Sequence, residues 1–332
     1  GPDPELKPRK KEAEIRKETF GPDKWKIMRD EPNAFPLDVA EFSINGGEWQ
    51  APLEILKLDR AVRDAAGLRH RGGAMVQPWA QVAPPEEKPL PIALRYRFEV
   101  ESLPSGPCHL VIEEPNRYKI FLNGVELMAD ENEGWWIDNS FIRIRVLPWF
   151  LKKGANELIL KTDYVSTSNL EAMYFTGEFG FKWNGTTPVV TELPTTLSLG
   201  NWINQGFACY SGSITYVTKI EPTLKKGEKL FLELPKWDAV LVKVRLNGKP
   251  AGAIAWQPYE IDITDCVQAG KNLLEIEVVS SRRNLLGPLH HKEVYPGWTG
   301  PGEFVSGGDR WTDEYINVPY GLMEKPVLSW RQ

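Results

Sequence analysis

Cysteine and histidine are scarce in this chain of 332 residues, which has three of the first and four of the second. Cys108, Cys209 and Cys266 are widely spaced and odd in number, so they are expected as buried free thiols. No Cys/His spacing matches a zinc site. Charge of one sign is also lacking: the net charge is only −5 and the basic residues are dispersed, which argues against nucleic acid as a partner. No apolar run approaches the length of a transmembrane helix, so a membrane is not an expected partner either. No signal peptide is visible, and Gly1-Pro2 reads as a protease-cleavage scar. The nucleophile-elbow and phosphate-binding glycine patterns are absent.

What the chain does have is tryptophan, 13 residues of it, together with 27 prolines and 28 glycines. Many turns and many aromatic faces suit an all-β protein, and the length suits two domains of about 150 residues. The charged run at 5–18 reads as a linker, giving a lead-in over 1–20, a first domain over 21–184 and a second over 185–332. A short helix is expected over Asp59–Ala66.

An internal duplication carries the fold argument. Lys119-Ile-Phe-Leu-Asn-Gly returns as Lys243-Val-Arg-Leu-Asn-Gly. Asn-Gly between alternating segments predicts a type I′ hairpin, because both central residues need positive φ. Upstream, Leu94–Val100 corresponds to Ile214–Ile220, and His109–Glu114 to Leu230–Pro235. Downstream, Gly154-Ala-Asn156 and Gly270-Lys-Asn272 each launch a strand with one apolar face. A period of roughly 116 to 146 residues is far longer than a solenoid repeat and indicates duplication of a whole β-sandwich.

This order of strand, strand, Leu-Asn-Gly hairpin and Gly-x-Asn turn resembles the jelly-roll, galactose-binding-like sugar-binding domain of glycoside hydrolase family 2. Tyr210–Tyr216 and Tyr259-Glu-Ile-Asp-Ile-Thr-Asp265 carry the likeness in the second unit. Trp25–Asp38, Leu170–Phe179 and Gly200–Phe207 look like the C-terminal region of large bacterial glycosidases such as family 106 α-L-rhamnosidases. The resemblance implies two tandem jelly rolls, a plant or microbial polysaccharide as partner, and a catalytic domain elsewhere in the same polypeptide. It also implies a bacterial protein that is secreted, periplasmic or on the cell surface. Sandwiches of this type often hold a structural Ca²⁺, for which Asp130-Glu131-Asn132-Glu133 could supply oxygens; no other cofactor is implied.

Glycoside hydrolysis needs two carboxylates across a cleft. Glu113, Glu114, Glu131 and Glu133 read instead as solvated loop residues, so no catalytic residue is assigned. The segment 282–311 has no counterpart in the first unit and is rich in Gly, Pro and Trp. Unrepeated insertions on sandwiches often bind ligands. Arg283, His290, His291, Trp298, Arg310 and Trp311 of this loop, with Trp202 and Tyr210 beside the entry to the second unit, are the candidate carbohydrate-binding residues. The alternative is that the loop packs over a sheet end and its histidines satisfy backbone groups. Trp149, in a Pro-containing turn, is expected in the core, and one of Trp135 and Trp136 is expected exposed. Three functions remain open: a non-catalytic sugar-binding or scaffolding region, a hydrolase or lyase acting through the loop, and a pure spacer.

Overall fold

The computed structural model describes residues 12–71, 87–298 and 300–332. Among them the regular structure is β-strand apart from helices Ile55–Ala65 and Arg283–Leu286 and short 3-10 turns. Strand Leu90–Val100 shows why: Ile92, Leu94, Tyr96, Phe98 and Val100 turn inward in alternation, and the residues between them turn out.

Two β-sandwiches result. In the first, a five-stranded sheet runs Asn132–Trp136, Asp138–Val146, Cys108–Ile112, Met173–Gly177, Asn33–Leu37. Its other sheet is built on Leu90–Val100, with Gly154–Tyr164 along one edge and Val39–Ile44 along the other. The Lys119–Leu122 and Val125–Leu127 hairpin extends it. Side chains of both sheets join in one core, including Phe35, Phe98, Phe175 and Phe181.

The second sandwich repeats this plan. One sheet runs Glu14–Thr19, Val327–Arg331, Lys229–Glu233, Glu260–Asp262. The other runs Thr196–Leu197, Trp25–Arg29, Ser213–Ile220, Asn272–Val279, Leu241–Leu246, Lys249–Ile254. The N-terminal strands Glu14–Thr19 and Trp25–Arg29 therefore hold the places in the second sandwich that Asn33–Leu37 and Val39–Ile44 hold in the first. Residues 14–29 were expected as lead-in and start of the first unit, yet every strand they pair with belongs to the second. Trp25 is fully buried in the second core against Tyr216. The first sandwich is thus inserted between the second strand of its neighbour and the remainder.

The two Asn-Gly hairpins form as predicted, with positive φ at Asn123, Gly124, Asn247 and Gly248. Each hairpin asparagine also clasps the asparagine of the Gly-x-Asn turn. Asn123 Nδ2 donates to Asn156 Oδ1 at 2.8 Å, and Asn247 Nδ2 to Asn272 Oδ1 at 2.7 Å. Asn156 in turn bonds Lys152 and Gly154, and Asn272 bonds Gln268 and Gly270. Both turn asparagines are buried, so these bonds satisfy polar groups that have no access to water.

Helix Ile55–Ala65 starts four residues before the expected Asp59. Glu54 caps it, accepting from the amides of Leu56 and Lys57. Glutamate is an unusual N-cap, so the sequence signal for this start is weak. Trp149 is 73% exposed, against the expectation that it lies in the core. It sits in the middle of the 3-10 turn Pro148–Phe150, whose C-cap Leu151 takes the buried position instead. The Trp135–Trp136 pair splits as expected, with Trp135 exposed and Trp136 buried.

Candidate functional site

The unrepeated segment leaves the second sandwich after strand Asn272–Val279 and folds as an arm against the first. Its two limbs pair with each other: Thr312 N donates to His290 O, Lys292 N to Arg310 O and Ile316 N to Leu289 O. Asn284, in the short helix Arg283–Leu286, exchanges two hydrogen bonds with the backbone of Val318. Leu285 enters the core of the first sandwich.

A latch of aromatic and charged groups holds the arm in place. The His290 ring stacks on Trp311 at 4.9 Å and tilts against Tyr315 at 4.6 Å. Its Nδ1 faces the Thr312 carbonyl at 3.1 Å, and its Nε2 lies 3.4 Å from Asp38 Oδ2 of the first sandwich. Tyr315 donates its hydroxyl to the other Asp38 oxygen and stacks on Trp183 at 3.6 Å. Lys57 sits 3.7 Å over the Trp311 ring and 3.5 Å from Asp313. Burial opposes a charge on His290, but Asp38 outweighs it and raises the imidazole pKa. Burial, with Asp38 nearby, pushes the Glu54 carboxyl up to about 7 in spite of the backbone amides it caps.

His291 is fully buried. Its Nδ1 accepts from Glu293 N at 3.0 Å, which leaves Nε2 to carry the proton, 3.1 Å from Glu303 Oε2. Glu303 also accepts from Arg310 at 2.8 Å. The histidine pair is thus divided between two carboxylates, with no shared ligand.

The candidate residues therefore separate. Trp202 and Tyr210 were expected to offer faces to a sugar, but both are buried in the second core. Trp202 donates to the Tyr216 hydroxyl and Tyr210 bonds Asp30 and Ser213. A buried Trp or Tyr needs such a partner for its polar tip, and their ring faces are spent on packing. His290, His291, Arg310 and Trp311 come together in the arm, where each histidine Nε2 faces a carboxylate without an aligned hydrogen bond, one Arg310 nitrogen bonds Glu303, and Trp311 donates to Asp313. Trp298 is 69% exposed on the outer turn. The guanidinium nitrogens of Arg283 are buried without a hydrogen-bond partner, and burial lowers its pKa.

Two spaces border the arm. A cavity of about 150 Å³ lies between Asp38, Glu54 and Tyr174 on one side and Leu289, Glu303 and Phe304 on the other. An open groove of about 660 Å³ has Leu56, Leu286, Pro288, Pro301 and Phe304 as apolar walls, with Arg283 and Glu171 among its polar residues. Phe304 is an exposed aromatic face in that groove. Asp38, Lys57, Tyr315 and Phe304 are functional candidates that the sequence did not reveal, because no local pattern links residues so far apart in the chain.

The acidic loop at 130–133 turns a carboxylate onto the protein itself: Glu133 lies 2.7 Å from the His109 ring and 3.4 Å from Arg145. Among the described residues no group of three or more His, Cys, Asp or Glu side chains is arranged to hold a metal ion. Among them, too, no helix is long and apolar enough to cross a membrane.

No family model matches the chain. Among curated proteins it is 36% identical, over 86 residues, to a protein of Formosa agariphila named as a candidate β-glucuronidase. The match takes in 25% of this chain and 7% of that protein. Among solved structures, a rhamnosidase from Novosphingobium sp. PP1Y aligns with 82% of the chain and 26% of its own, at 15% identity and a TM-score of 0.31. A Bifidobacterium dentium β-glucuronidase aligns with 42% of the chain and 26% of its own, at 19% identity and a TM-score of 0.29. The relatives are glycosidases. That is the group the hairpin and Gly-x-Asn motifs resemble. This chain spans about a quarter or less of each relative's length, and structural likenesses this low carry no argument about activity.

Proposed function

We propose that this chain is a non-catalytic, carbohydrate-associated region of a larger glycoside hydrolase, in which the arm braces the two sandwiches and presents a sugar-binding groove. The observation that carries this reading is how the arm's polar groups are used. Asp38 is taken by Tyr315 and His290, Glu54 by helix capping, and Glu303 by His291 and Arg310. A pair of carboxylates free to protonate and attack a glycosidic bond is not what this arrangement supplies. The groove beside it offers Phe304 as a stacking face.

Covering about 100 Å² of an aromatic face contributes roughly 2–3 kcal/mol at ~25 cal/mol/Å². Millimolar binding needs about 4 kcal/mol, so hydrogen bonds from the groove's polar rim must supply the difference. Weak binding suffices on a tethered enzyme, where linkage raises the effective sugar concentration. A glycan array with the intact chain tests the reading. Binding to plant or microbial oligosaccharides, weakened by Phe304→Ala, is expected; an array with no signal at millimolar sugar overturns the sugar-binding reading.

The rival reading, a hydrolase or lyase acting through the arm, draws on one observation: a Glu54 carboxyl held near neutrality has the poise of a general acid. Turnover of aryl glycosides that disappears in Glu303→Gln or Glu54→Gln would establish it.

A further inference from the structure

A separate cavity of about 460 Å³ opens at one end of the first sandwich. Its floor is apolar, built from Leu94, Tyr96, Ile112, Leu160 and Met173. Its rim combines charged and neutral polar groups. Two of the rim carboxylates are already neutralised: Glu114 pairs with Arg117 at 2.8 Å and Glu171 with Arg71 at 2.8 Å. Glu113 is different. It lies at the end of strand Cys108–Ile112 and borders both this cavity and the one behind the arm. Among the described residues its carboxylate makes neither hydrogen bond nor ion pair. The Asn169 amide and the Thr167 hydroxyl on the same rim are likewise left without side-chain partners there.

We propose that this cavity is a subsite for one uncharged pyranose, with Glu113 accepting from sugar hydroxyls and Asn169 and Thr167 completing the polar contacts. The size falls in the range of small-molecule sites. An apolar floor beneath a few unspent hydrogen-bonding groups suits a ring with one C–H face and a polar rim. The charge around Glu113 discriminates among sugars. Burial pushes its pKa up, and Glu171, Asp138 and Glu114 push the same way, with Arg71 the opposing cation. A hydroxyl donor relieves an unpaired carboxylate there, whereas a sugar carboxylate would add a further like charge. Uronic acids are therefore rejected. The assignment takes its ligand class from the carbohydrate reading above but stands on different residues.

Matched methyl pyranosides and their uronide counterparts, titrated into the intact ¹⁵N-labelled protein above pH 7, test it. Expected are saturable shifts of the Asn169 side-chain amide signals with the uncharged sugar and binding at least about tenfold weaker for the uronide. Glu113→Gln should weaken the uncharged sugar by about tenfold, the size of one lost hydrogen bond to a charged acceptor. The same variant should unfold at an equal or higher temperature, since it removes a half-buried unpaired carboxylate; this separates loss of binding from loss of fold. Equal binding of the uronide overturns the proposal. So do Asn169 signals that stay fixed while those of Phe304 move, an outcome that leaves the arm groove as the sugar site. If neither set moves with any pyranoside in the panel, the carbohydrate reading fails along with the subsite.

Discussion

Asn123 and Asn247 each do two things that no other residue does as well: they accept positive φ in a hairpin, and they reach across to a buried asparagine. The first property is local and was legible, because Asn-Gly encodes a turn on its own. The second was not, although both partners stood in recognised motifs, since nothing in a sequence shows that two turns meet. Asn156→Ala or Asn272→Ala should each destabilise the chain by about 1–3 kcal/mol, because the buried partner is left unsatisfied. Denaturant titration of the two variants should give similar losses, reflecting the duplication. Glu54 and His290 set a pH dependence at this same scale. Both pKa values are raised on folding, so the folded chain holds protons that the unfolded chain releases. Stability should therefore fall as pH rises from about 5 through about 7, where Glu54 loses its proton, and further as His290 loses its own above the ordinary histidine pKa. Glu54→Gln should flatten the part below about 7, and His290→Gln the part above the ordinary histidine pKa. Melting temperatures measured across this range check both; a wild-type melting temperature that climbs with pH contradicts the latch as described.

At the level of elements, the N-terminal strand Glu14–Thr19 shows most clearly why a sequence can hide structure. All six residues, Glu-Ile-Arg-Lys-Glu-Thr, are exposed, so there is no apolar alternation to read. The strand forms the edge of its sheet and pairs with Val327–Arg331 from the far end of the chain. Charged residues are what an exposed edge favours, because they discourage pairing with other molecules. Strand Trp25–Arg29 did read as ordered, but its register with Ser213–Ile220 is long-range and its sandwich was misassigned. A fragment covering 193–332 should therefore fail to fold cooperatively, while the same fragment carrying 12–31 should recover sheet signal in circular dichroism. Trp25→Ala in the intact chain should cost about 3–5 kcal/mol as a core truncation.

For the whole molecule, the insertion of one sandwich into the other and the arm that returns to the first tie the two together more closely than a linker alone would. The arm's bipartite latch, Asp38 with His290 and Tyr315 on one side and Lys57 with Trp311 and Asp313 on the other, was legible only as an unrepeated aromatic-rich segment. Its residue types pointed to a ligand, but packing consumed most of them. Exposed Phe304, unpaired Glu113 and the open groove are the features on which the proposed sugar binding rests. The most direct test of a binding but non-catalytic region is calorimetric titration of the intact protein with polysaccharide-derived oligosaccharides, the same samples being analysed afterwards by mass spectrometry. Saturable binding with every oligosaccharide recovered intact is the predicted result. Shortened products from the wild type, absent with Glu303→Gln, would contradict it.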